Sequence, residues 1–95
     1  MKIEGNADGG YRLTGELTYR TVPAVFEQAI EFVDETRMDL GNLYRIDSAG
    51  LALLVEWACA ARRQGKSLVL WRIPDSLRSQ IEVSGLGDVF AVARP

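Results

Sequence analysis

The sequence predicts an α/β domain in which a mixed β-sheet, an amino-terminal hairpin plus parallel strands, is covered by three or so α-helices. Three observations carry this expectation. Tyr11, Leu13, Gly15 and Leu17 alternate with Arg12, Thr14 and Glu16, the period-two pattern of a half-buried strand. Apolar residues recur at three- and four-residue steps in two later segments, the pattern of amphipathic helices. Leu68-Val69-Leu70-Trp71 is continuously apolar, as in a parallel strand buried on both faces.

Taken in order, Lys2 to Gly5 and Tyr11 to Leu17 flank Asp8-Gly9-Gly10, a tight-turn signal, and form the hairpin. Thr21 is placed to cap a first helix that admits Pro23 in its first turn and carries Val22, Val25, Phe26, Ala29, Ile30 and Val33 on its inner face. Glu27, Gln28, Glu31, Asp34 and Glu35 form a solvated outer face. Met38-Asp39-Leu40 reads as a short strand ending before Gly41-Asn42, and Leu43 to Ile46 leads into Asp47-Ser48-Ala49-Gly50. A second helix runs from about Ser48 to Arg63, with Arg62 and Arg63 at its negative end and Gly65 as its left-handed stop. Ser67 to Arg72 is the next strand. Pro74 and Asp75 open a third helix with Leu77 and Ile81 inward, which stops near Ser84-Gly85. Val89 to Ala93 supplies a last short strand. The order of elements calls for right-handed crossovers within a single domain, residues 1–95.

Composition bounds the function. The chain is 95 residues long, 47% hydrophobic and 25% charged, as expected of one folded globule and too small for a two-domain enzyme. Ala49 to Ala61, broken by Glu56, is shorter than the roughly 20 residues that span a bilayer, so no membrane insertion is expected. The amino end lacks a signal-peptide pattern, which predicts a cytoplasmic protein, peripheral on the inner membrane at most through a partner. A net charge of −2 offers no general basic excess, and nucleic acid is not an expected partner. No histidine is present, which removes Ser/His/Asp and Cys/His nucleophilic chemistry and histidine metal ligation. The single Cys59 cannot form an internal disulfide. Neither a catalytic residue, nor a metal site, nor a cofactor is expected.

Three motif fragments fail on context. Gly65-Lys66-Ser67 ends like a phosphate-binding loop, but Ala60 stands where the first glycine belongs, and the segment runs from helix to strand. Ile46-Asp47-Ser48-Ala49-Gly50 resembles a nucleophile elbow without its leading glycine or any histidine. Gly85-Leu86-Gly87-Asp88 lacks the third glycine of a dinucleotide loop and follows a helix.

What remains is the junction at Asp47-Ser48-Ala49-Gly50-Leu51, where the free N–H groups and positive dipole end of the second helix collect. Ser48 is a natural N-cap, and small Ala49 and Gly50 leave the first turn open to close approach. A phosphate on Ser48 would gain from the dipole while adding charge beside Asp47. The second helix has an inner stripe, Leu51, Leu54, Val55, Ala58 and Ala61, and a second stripe, Leu53, Trp57 and Ala60, expected to face a partner.

Asp47-Ser48-Ala49-Gly50-Leu51 after a strand, Gly15-Glu16-Leu17 before the first helix and Ser84-Gly85-Leu86 after the third together resemble the STAS domain over nearly the whole chain. The run Ile46 to Trp57 followed by Arg62-Arg63-Gln64-Gly65-Lys66 is most similar to the MlaB branch of that family. The resemblance implies a non-catalytic subunit that docks on the ATPase of a phospholipid-trafficking ABC transporter. In antagonist relatives the hydroxyl that Ser48 matches is phosphorylated by a partner kinase, so the alternative is an anti-sigma factor antagonist switched at Ser48. The expected partner-binding residues are Asp47, Ser48, Ala49, Gly50, Leu51, Leu53 and Trp57. An independent lipid-binding role would need an internal cavity, and a core this small leaves no sign of one.

Overall fold

A computed structural model describes residues 1–28, 30–85 and 90–92. Five strands, β1 (Lys2–Asn6), β2 (Gly10–Leu17), β3 (Glu35–Ile46), β4 (Ser67–Trp71) and β5 (Ala91–Val92), alternate after the hairpin with α1 (Val22–Phe26), α2 (Ser48–Arg63) and α3 (Asp75–Ser84). The strands lie side by side in chain order, β1-β2-β3-β4-β5. β1 and β2 are antiparallel, and every later pairing is parallel. Successive crossovers of one hand stepping in one direction place their helices on one side of the sheet. The alternation in β3 agrees: Thr36, Met38 and Leu40 are fully buried, whereas Glu35 and Arg37 face solvent. One face of the sheet is therefore covered and the other is open.

The core lies between the covered face and the helices. Leu13 and Leu17 of β2, Met38 and Leu40 of β3, Leu54 of α2, Leu70 of β4 and Leu77 of α3 are all at 0% exposure. Each such side chain contributes about 1.5–3 kcal/mol by leaving water. α2 rests on β3 and β4 and is also touched by α1. That second contact shows that a helix packed against both a sheet and another helix can bury more than one stripe. Leu53 and Trp57 are 3% and 6% exposed, and both belong to the core cluster. The expected outward stripe at Leu53, Trp57 and Ala60 is therefore overturned.

The first helix is shorter than its periodicity suggests. It ends at Phe26, which is exposed, and the chain over residues 30–34 takes irregular structure. The cause lies in competing hydrogen bonds. The Tyr11 hydroxyl accepts from the Glu31 N–H at 3.0 Å and donates to the Glu31 carbonyl at 3.1 Å, and the Thr36 hydroxyl accepts from the Val33 N–H at 2.9 Å. These backbone groups thereby have partners without a continuing helix. The Thr21 hydroxyl does not cap α1; it accepts from the Thr18 N–H and donates to the Glu16 carbonyl, tightening the β2–α1 turn. The expected inward Ala29 lies outside the described residues.

β3 is one strand of 12 residues where two pieces were expected. It continues through Gly41-Asn42 because it bulges against β2: Arg12 pairs with Asp39 but Thr14 pairs with Asn42, and Gly15 pairs with Leu43 but Glu16 pairs with Arg45. Each shift inserts one extra residue into β3, a strand-internal use of residues that also suit turns. α2 ends as expected, in a Schellman arrangement with Gly65 at φ +72° and the Lys66 N–H bonded to the Ala61 carbonyl. In β4 Leu68, Val69 and Leu70 are buried, but Trp71 is exposed on the open face. α3 follows the expected pattern, with Leu77 and Ile81 buried and Gly85 left-handed. The turn residues Leu86, Gly87 and Asp88, and the outer residues Val89 and Ala93 of the expected last strand, lie outside the described residues.

Candidate partner-binding site

Parallel strands deliver their following loops to one edge of a sheet, and here that edge gathers Thr18–Thr21 after β2 with Asp47–Leu51 after β3. Asp47 joins the two. Its backbone N–H donates to the Leu17 carbonyl at 3.3 Å, its Oδ2 accepts from the Tyr19 N–H at 2.9 Å, and its Oδ1 accepts from the Gly50 N–H at 3.0 Å. Asp47 is thus the N-cap of α2, a role expected of Ser48. Aspartate caps as well as serine does, and only its carboxylate has two oxygens to serve two loops at once. The Tyr19 N–H above all, with the Gly50 and Ala49 N–H groups and the Arg45 charge, holds the Asp47 carboxyl below its ordinary range despite an opposing desolvation effect.

Ser48 is consequently the first residue of α2, exposed, with its hydroxyl free of capping duty. Ala49 is half-buried. Gly50 does not hold space open for a visitor, as the bare first turn suggested. It is buried, and a β-carbon on it would collide with the Leu17 carbonyl, so glycine is what lets the helix start against β2. Leu51 is buried at 9% exposure and forms part of a shallow, almost wholly apolar groove of about 370 Å³ whose other lining residues are Ser79, Gln80, Val83 and Ser84 of α3. Of the seven expected contact residues, the structure brings Asp47, Ser48, Ala49, Gly50 and Leu51 together at one edge and places Leu53 and Trp57 in the core.

Two residues at this edge escaped the sequence reading. Tyr19 is 66% exposed, and its hydroxyl accepts from Arg20 Nε at 3.2 Å. Val83 is 90% exposed. Val83 does carry a signal, since it falls off the Leu77/Ile81 stripe and so must stand on the solvent side of α3. Tyr19 carries none beyond its place between the end of a strand and the start of a helix. Tyr19, with Glu16, Arg20, Arg45 and Asp47, helps line a polar hollow of about 120 Å³. Among the described residues no group of histidine, cysteine, aspartate or glutamate is arranged to hold a metal, and no helix is long and apolar enough to cross a membrane.

A one-sided mixed sheet that clips a strand-end loop to the start of a helix, with an exposed serine at that start, defines a docking domain of the STAS class. The sequence model described as "Mlab, STAS domain" matches residues 5–92, and the chain belongs to that family. STAS domains work by protein–protein interaction. Among solved structures, the anti-sigma factor antagonist SpoIIAA in its unphosphorylated form shares the fold, with a TM-score of 0.65 over 99% of this chain and 87% of that one at 18% identity. No curated protein matches the sequence.

Proposed function

We propose that this chain is a non-catalytic subunit of a phospholipid-trafficking ABC transporter, docking on the transporter's ATPase at the cytoplasmic face through the edge built by Tyr19, Ser48, Leu51 and Val83. The observation that carries the reading is the division of labour at the start of α2. Asp47 does the capping, Gly50 does the packing, and Ser48 is left exposed next to an apolar groove with Val83 on its rim. Apolar residues beside a rigid polar loop form the usual anatomy of a docking patch. The match to the MlaB-type family supports the transporter as the setting. Co-expression with the ATPase of such a transporter tests it: the wild-type chain co-purifies, and Val83→Asp does not. Co-purification undiminished by Val83→Asp and Ser48→Glu together would exclude this edge as the contact.

A second reading, an anti-sigma factor antagonist switched by phosphorylation, is favoured by one observation: the Ser48 hydroxyl is accessible and is not consumed in the cap. Incubation with a cognate anti-sigma factor kinase and ATP, followed by mass spectrometry of the peptide containing Ser48, separates the two readings.

A further inference from the structure

The open face of the sheet has a chemistry of its own, about 20 Å along β3 from the Ser48 edge at the usual rise per residue. Cross-strand register puts Arg12, Asp39 and Trp71 in one row, and Arg37 and Val69 pair in the row beneath. Gly9 and Gly10, at the hairpin turn, contribute no side chain there, and with Arg12, Arg37, Trp71 and Arg72 they help line a concavity of about 230 Å³. Among the described residues the one carboxylate that lines it, Asp39, is already answered: Arg72 donates to it from two nitrogens, at 2.9 and 2.8 Å. Glu4, across from Arg12 in the hairpin, lies within 3.9 Å of Lys2. Arg37 reaches the Gly9 carbonyl with a single nitrogen at 3.3 Å, which leaves most of its donors unused. Among the described residues, a surface of a net acidic chain thus gathers three guanidinium groups against one carboxylate, beside an exposed indole.

We propose that this concavity binds a small soluble anion in which a phosphate is carried on an aromatic ring. Arg12 and Arg37 would take the phosphate, because planar guanidinium donors match its oxygens and hold it more strongly than neutral groups do. Trp71 would take the ring by stacking. The volume admits a phosphate and about one ring, below the range typical of larger ligands. The positions of the two arginines on neighbouring strands set the spacing of the anion site, and the rigidity of the sheet holds it.

The test titrates the full chain with phenyl phosphate, phenol, inorganic phosphate and phosphatidylglycerol vesicles, reading calorimetry and tryptophan fluorescence. Trp57 is buried, so quenching on binding reports Trp71. Phenyl phosphate is expected to bind and quench, inorganic phosphate to compete with it, and phenol to bind about tenfold more weakly or worse. Arg12→Gln and Arg37→Ala should each weaken phenyl phosphate binding by about tenfold with an unchanged circular dichroism spectrum, and Trp71→Leu should abolish the quench. Arg12→Gln decides the matter where Arg37→Ala disturbs the hairpin. Undiminished affinity in Arg12→Gln, equal binding of phenol, binding to vesicles alone, or no binding at millimolar concentration would each overturn the proposal.

Discussion

The Leu17 carbonyl occupies the space that a β-carbon on residue 50 would need. This approach joins the end of β2 to the first turn of α2 and so fixes where Ser48 emerges. Gly50→Ala is expected to cost about 1–3 kcal/mol, the usual range for forcing extra volume into a packed site. Urea denaturation measures it, and a stability equal to wild type would show that the helix start can slide away from β2.

Ser48→Ala should change stability by no more than about 0.5 kcal/mol, since the hydroxyl is exposed and does not cap. Ser48→Glu should fold as well as wild type, because a carboxylate in a first helical turn is favoured by the dipole. Its affinity for the partner should nevertheless fall, and calorimetry against the ATPase reads that directly. Equal affinities for all three proteins would confine Ser48 to a bystander's place on the surface.

Asp47→Ala, by contrast, should destabilise by about 0.5–2 kcal/mol through loss of the cap, and the loss of the Tyr19 N–H contact adds to this. The effect has a definite pH dependence. The folded-state pKa of Asp47 lies below the ordinary value of 3.8, so its contribution is present above that value and disappears as pH falls through the lower folded value. The same sign holds for Asp39, depressed first by its hydrogen bonds from Arg72. Wild type and Asp47→Asn should accordingly converge in stability in acid below about pH 4. A gap that stayed constant through that window would mean the carboxylate charge is irrelevant.

Trp57→Ala should cost about 3–5 kcal/mol, the range for emptying a large aromatic site in a core. Leu54→Asp, which buries a charge in the inner stripe, should prevent folding altogether. Val83→Asp, at an exposed position, should leave the denaturation midpoint unmoved while abolishing co-purification with the ATPase.

What the sequence made legible was whatever local periodicity or end chemistry decides. The hairpin, the limits of α2, the inward pair Leu77 and Ile81 and the left-handed glycines 65 and 85 all follow from neighbours within a few positions. What it hid depends on contacts between distant segments. Nothing near Glu31 reveals that the Tyr11 hydroxyl will capture its backbone and end α1 early. Nothing near Trp57 reveals that it will be drawn into the core cluster. At the candidate site the tetrapeptide itself was visible, but serine and aspartate are equally good caps, and only the Tyr19 N–H across the turn decides between them.

The sequential order of the strands bears on how the chain is made. Each new strand joins the edge left by the one before it, and none has to wedge between two strands already paired. A ribosome releasing the chain from its amino end can therefore lay down the hairpin, then β3, then β4, each docking as its crossover clears the exit tunnel. The short span between partners keeps loop closure cheap for a largely parallel sheet, so assembly should be rapid for its class. The Ser48 surface would be complete once α3 has settled beside α2, and a nascent chain could meet its partner before β5 is synthesised.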